Sequence, residues 1–163
     1  MRGSQAAETT EVGVDDVADA VLTASRLLVA LSAKSIAEVD DSITITQFRV
    51  LVLLDTSGPM NLASLAQKLS VQPSTATRMA DRLSHADLVV RVPSPRNRRE
   101  LTVELTARGR TTVAEVTARR RREIGHVIRG LDVEQRADLV RALTAFSMAG
   151  GEPAVSAPVD GWQ

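Results

Sequence analysis

Three residues, Ser70-Val71-Gln72, separate two short segments of helical periodicity. Before them, Asn61 is placed to cap a helix that carries Leu62, Leu65, Ala66 and Leu69 on one face. After them, Pro73 stands in a first turn, where its missing N–H costs nothing, and Ala76, Met79, Ala80 and Leu83 point inward as far as His85. Two short helices joined this tightly, the second opening on Ser and Thr, make a helix-turn-helix.

A hairpin signal follows directly. Leu88, Val90 and Val92 alternate with Val89 and Arg91, then Leu101, Val103 and Leu105 alternate with Thr102 and Glu104. Between the two runs, Pro93-Ser94-Pro95-Arg96-Asn97-Arg98 reads as a long tip. Arg91, Arg96, Arg98 and Arg99 crowd this one hairpin. The formal net charge of the 163-residue chain is zero, so this charge is a local concentration. Residues 1–55 hold four basic and nine acidic side chains, and residues 72–99 hold six basic and two acidic ones. Such asymmetry points to an anionic partner for the second segment.

Longer helical patterns flank this centre. From Asp15 to about Val39, Val17, Val21, Leu22, Leu28, Leu31 and Ile36 recur at helical steps, and Asp15, Asp16 and Asp19 suit a helix N-terminus. The unbroken apolar stretch from Leu27 to Leu31 is wide for a one-sided helix and asks for a second partner, such as another subunit. Asp40-Asp41-Ser42 breaks this helix, and Thr46 is read as the cap of the next, which holds Phe48, Val50, Leu51, Leu53 and Leu54. Thr106 caps a helix from Ala107 to about Arg129. Asp132 caps a last one with Val133, Leu139, Val140, Leu143 and Phe146 as its stripe. Residues 1–14 and 148–163 are expected to be flexible.

Composition narrows the chemistry. Cysteine is absent, which excludes disulfides, thiolate metal sites and a cysteine nucleophile. With His85 and His126 as the only imidazoles and no ligand-like spacing, no metal site is expected. No nucleophile–base pair, phosphate-cradling glycine loop or carboxylate dyad can be found, so the chain is not expected to be an enzyme and no cofactor is called for. Aromatic residues make up 2%, leaving a core of Leu, Val, Ala and Ile. No continuous apolar run approaches the ~18 residues of a membrane span, so the expectation is a cytoplasmic protein without membrane contact.

With its inward positions removed, the second helix of the pair presents Gln72, Ser74, Thr75, Thr77, Arg78, Asp81 and Arg82. Gln, Ser, Thr and Arg can bond base edges or phosphate oxygens, and here they fill the turns that enter a major groove. A capped, soluble surface helix would also carry Ser and Thr there. Three tip arginines directly behind it favour a winged helix whose wing reaches phosphates or the minor groove. Gln72, Ser74, Thr75, Thr77, Arg78, Arg82, Arg96, Arg98 and Arg99 are therefore the candidate duplex-binding residues. Arg119–Arg122 point in four directions around a helix and read as a solvated run paired locally with Glu115 and Glu123.

The run from Leu62 to Gly109, most closely PSTATRMADRL, LVVRV and PRNRRELTVELTARG, resembles the MarR family of bacterial winged-helix transcription regulators. The likeness extends over roughly residues 15–147. It implies a mainly α fold with a small β-hairpin wing: a winged helix-turn-helix at 44–106, flanked by dimerisation helices at 15–42 and 107–147. It further implies a homodimer that acts as a repressor on a pseudo-palindromic operator of double-stranded DNA. Many such proteins release DNA when a small aromatic or phenolic effector binds between the dimerisation helices and the winged domain. Leu27, Leu31, Phe48 and Leu51 are the candidate wall positions, and all four are equally well explained as core. Ser94 and Asn97 depart from the pattern by replacing the aspartates usual in the wing, which implies a more positive and more salt-sensitive wing. The competing class is a winged-helix interaction module whose basic face meets an acidic protein. The polar face of the second helix disfavours it, since protein interfaces want aromatic or leucine anchors.

Overall fold

A computed structural model describes residues 12–94 and 100–152. The elements run α1 (Val14–Ala37), α2 (Ile45–Ser57), α3 (Leu62–Leu69), α4 (Pro73–His85), β1 (Val89–Pro93), β2 (Leu101–Leu105), α5 (Ala107–Ile128) and α6 (Val133–Ala149). A mainly helical chain with one antiparallel hairpin is the expected fold class. The chain divides into two units, one ending at Arg121 and the other starting at Arg122, within α5.

Local chemistry explains most of the boundaries. The cap of α2 is Thr44, not Thr46: its hydroxyl accepts from Gln47 N at 3.2 Å, while Gln47 Oε1 accepts from Thr44 N at 2.8 Å. This reciprocal pair satisfies two helix-end donors, which Thr46, inside the first turn, cannot do. Asn61 Oδ1 caps α3 by accepting from Ser64 N at 2.8 Å. Helix α3 then ends on Ser70, whose φ of 54° is left-handed, and Val71 N donates back to Ala66 O at 3.0 Å. That reversal is the physical form of the three-residue turn. Pro73 opens α4 as expected. Helix α6 starts on the Asp132–Gln135 capping box and runs to Ala149, beyond the predicted end at residue 147.

The core of the first unit gathers Phe48, Leu51 and Leu54 of α2, Leu65 of α3, Met79, Ala80 and Leu83 of α4, Val103 and Leu105 of β2, and Val113 and Val116 of α5. All four inward positions predicted for α4, Ala76, Met79, Ala80 and Leu83, are buried. The hairpin pairs Val89 with Leu105 and Pro93 with Leu101. Met60 adds a bridge to Val103, with backbone bonds of 3.2 and 2.8 Å.

One strand is out of phase with the sequence reading. Val89 is buried and Val90 exposed, the reverse of the expected alternation, although Leu88 is buried as predicted. Asp87 adopts a left-handed φ of 57° and Leu88 N donates to Leu83 O at 2.9 Å. Leu88 therefore belongs to the closing turn of α4, and the strand's alternation begins one residue later.

Helix α1 also differs from expectation. Of its predicted stripe only Ile36 is buried, while Val17, Leu22 and Leu28 are exposed. Its buried hydroxyls, Ser32 and Ser35, donate to the carbonyls of Leu28 and Leu31 at 2.6 and 2.7 Å. By length and composition this helix is apolar enough to cross a membrane, contrary to the reading that counted only unbroken apolar runs. Five charged side chains, Asp15, Asp16, Asp19, Arg26 and Lys34, interrupt its apolar sequence.

In the second unit, α6 buries no residue, and Val133, Val140, Leu143 and Phe146 of its stripe are exposed. In the first unit, Arg119 pairs with Glu38, just past the end of α1, at 3.0 Å, so this member of the arginine run has a partner distant in the sequence.

Candidate nucleic-acid interface

Helix α4 divides its residues cleanly. Gln72, Ser74, Arg78 and Arg82 are exposed, and Thr75 and Thr77 are half-buried. Ser74, Arg78 and Arg82 follow one another at four-residue steps, which places them along one face. Gln72 is the N-cap residue, but its side chain makes no capping bond. Three other side chains are committed locally. Thr77 Oγ1 donates to Pro73 O at 3.0 Å, and an Arg78 guanidinium nitrogen donates to Thr75 Oγ1 at 3.4 Å. The second contact leans the long arginine toward the N-terminal end of its helix, the end where the helix dipole favours anions.

Arg96, Arg98 and Arg99, together with Asn97, lie outside the described residues. Ser94, at the edge of the tip, is buried, and its N–H donates to Glu100 O at 2.7 Å. Arg91, the fourth arginine of the hairpin, lies within the described residues and faces the helix. Its guanidinium turns back from β1 to Asp81 of α4 at 2.7 Å and is half-buried. It holds the hairpin against the helix.

Two further residues make contacts beside the wing that the sequence did not show. Asn61, noticed only as a cap, also donates through Nδ2 to Glu100 at the foot of β2. Gly109, at the start of α5, lies against the carbonyl of Leu88 so closely that a Cβ there would sit 2.0 Å from the oxygen. Thr106 completes this junction: its N–H donates to Leu88 O and its hydroxyl to Asp87 O, at 3.1 and 2.7 Å, and the same hydroxyl accepts from Gly109 N. Thirty-nine residues separate Asn61 from Glu100, so no periodicity could have paired them.

His85 ends α4 with Nδ1 2.7 Å from Asp81 O, which makes it a partner of the last turn. The four positions considered for an effector do not behave alike. Phe48 and Leu51 sit in the core, Leu51 without exposed surface, whereas Leu27 is exposed and Leu31 half-buried on α1.

Comparison with known proteins agrees with this architecture. The MarR family model matches residues 43–101, which run from the entry of α2 to the start of β2. The HTH-type transcriptional repressor MdtR of Bacillus subtilis is 34% identical over 79 residues, 48% of this chain and 51% of that protein. The chain thus spans about half the length of that relative. The multiple antibiotic resistance protein MarR of Salmonella typhimurium is 33% identical over 107 residues, 66% of this chain and 67% of that one. Among solved structures, RV1404 from Mycobacterium tuberculosis is 56% identical with a TM-score of 0.82, over 88% of this chain and 98% of that one. With its helix-turn-helix, its hairpin wing and these relatives, the chain belongs to the MarR family of winged-helix transcriptional regulators and is not an enzyme.

Proposed function

We propose that this regulator acts as a homodimer that binds a pseudo-palindromic site in double-stranded DNA and represses transcription there. The observation that carries the reading is the outward face of α4: Gln72, Ser74, Arg78 and Arg82 are exposed, and no large apolar side chain interrupts them. Side chains of this kind pair with base edges and phosphates, and they have little to offer an apolar protein interface. Ser74, Thr75, Thr77, Arg78 and Gln72 would meet the major groove. Arg82 and the wing arginines Arg96, Arg98 and Arg99 would meet phosphates or the adjacent minor groove. Repression is supported by the name of the MdtR relative.

Dimerisation is supported by the apolar surface left open on the outer helices. Val17, Leu22, Leu27 and Val29 of α1 and Val140, Leu143 and Phe146 of α6 are all exposed. A second copy covering either set would remove exposed large apolar side chains from water. A two-fold pair would also present two α4 helices to successive turns of one duplex. A small aromatic or phenolic effector would then bind beside Leu27 and Leu31, and would have to open the packing around Phe48 and Leu51 to release DNA. The family's regulators work on DNA in solution, which fits a cytoplasmic protein.

A mobility-shift series on the DNA flanking its own gene tests this reading, with Arg78→Ala and Arg98→Ala as controls. Salt-sensitive binding that both substitutions weaken is the expected result. Absence of salt-sensitive duplex binding overturns it.

A further inference from the structure

Asn61 stands where the helix-turn-helix meets the wing. Its Oδ1 accepts from Ser64 N at 2.8 Å and caps α3, while its Nδ2 donates to Glu100 Oε1. The preceding residue, Met60, exchanges backbone bonds with Val103 on β2, and Glu100 O accepts from Ser94 N at 2.7 Å. One amide therefore joins the start of α3 to the point where β2 leaves the tip. Capping alone does not require an amide. Asp and Ser cap as well as Asn, but neither combines the capping acceptor with an NH2 donor. Glu100 is also the one acidic residue between Asp87 and Glu104, a stretch otherwise rich in arginine. An acid there lowers the positive charge of a duplex-binding hairpin, so its presence needs a separate reason. The bond to Asn61 supplies one.

We propose that Asn61 and Glu100 are positioning residues that set the wing against α3, so that the wing and α4 meet one duplex together. The proposal rests on the DNA-binding reading above. Neither residue is required to touch DNA.

The test uses the full chain, amide hydrogen exchange, and binding of a mixed-sequence duplex. Asn61→Asp keeps the cap on Ser64 N but replaces the donor with a second carboxylate facing Glu100. Exchange at the Ser94 and Val103 amides should quicken by about 3- to 10-fold, the range expected for one lost hydrogen bond, while Ser64 stays protected. Adding Glu100→Gln supplies an NH2 to the new carboxylate. This restores the bond with its direction reversed, and the pair carries the parent's formal charge. The double variant should recover both exchange protection and duplex affinity. A second comparison holds charge constant in another way: Glu100→Ala should bind the duplex more weakly than Glu100→Gln, which can still accept from Asn61.

The proposal is overturned if Asn61→Asp alone matches the parent, or if the double variant is no better than Asn61→Asp. A parent chain that fails to bind duplex sinks the DNA-binding reading instead. Exchange in the free protein then still decides whether the pair holds the wing.

Discussion

Arg91, on β1, places its guanidinium 2.7 Å from the carboxylate of Asp81, on α4. The contact fastens the first strand of the wing to the helix that carries the candidate base-reading residues. It is close but imperfectly aligned: among the described residues, the buried Nε and Nη2 atoms of Arg91 meet no acceptor in hydrogen-bond geometry. Removing the carboxylate therefore takes the nearest counter-charge from a half-buried cation, whereas removing the cation leaves a carboxylate that is more open to water. Asp81→Ala should destabilise the fold by about 1 kcal/mol, and Arg91→Met, which keeps the packing of the stem, by less. Urea unfolding of the two variants measures both. Equal losses would mean that the pair acts only as an exposed ion pair.

Gly109 is needed for a close approach. A Cβ at this position meets the Leu88 carbonyl oxygen at 2.0 Å, and that carbonyl is held in place as acceptor for Thr106 N. Gly109→Ala should lower stability by about 2 kcal/mol through this clash, despite alanine's better helix propensity. A lower thermal midpoint is the expected readout, and an unchanged or raised one would show that the α4–β1 turn gives way freely.

Ser70 ends α3 with a φ of 54°, a conformation costly for a residue with a Cβ. Ser70→Gly relieves that cost but gives the unfolded chain more freedom, so the net gain should be below ~1 kcal/mol. Ser70→Val, β-branched at the same φ, should lose stability. Chemical denaturation of the pair checks the sign of each change.

Arg78 and the wing bear on the charge-dependent part of binding. Arg78→Ala should reduce the slope of log affinity against log salt by about 0.9 if the guanidinium neutralises one phosphate. Should Arg78 instead pair with a base, the slope will hold and discrimination at one base pair will fall by about 1–3 kcal/mol. Asn97→Asp, which restores an acid to the wing, should flatten the salt dependence and sharpen the preference for the operator. No change in either quantity would remove Asn97 from the account.

Phe146 leaves more than half of its surface exposed on α6, at 56%. If a second copy covers it, Phe146→Glu should shift the chain toward monomer on dilution, because burying a carboxylate at an apolar interface is unfavourable. Light scattering across a concentration series reads the outcome. A variant with the parent's association state would place the dimer seam elsewhere.

The helices, their order and the inward face of α4 were legible in the sequence because they depend on contacts a few residues apart. A proline in the first turn, Asn61 and Asp132 as caps, and apolar side chains at helical steps act locally, and residues 61–85 alone are enough to write the helix-turn-helix. The same local chemistry misled where two caps competed: Thr44 prevails over Thr46 because only Thr44 has Gln47 at the right distance to return the bond. The candidate α4 residues were likewise visible, since whatever does not face the core must face outward. Tertiary structure alone decided which face of β1 is buried, because the left-handed Asp87 at the end of α4 sets where the alternation starts. It also decided that Arg91 turns inward to Asp81, that Glu100 reaches Asn61, and that Arg119 finds Glu38. Those pairs join residues far apart in the chain, and their partners are chosen by where the backbone brings them. Side-chain type states what each can bond to; only the fold brings the partner within reach.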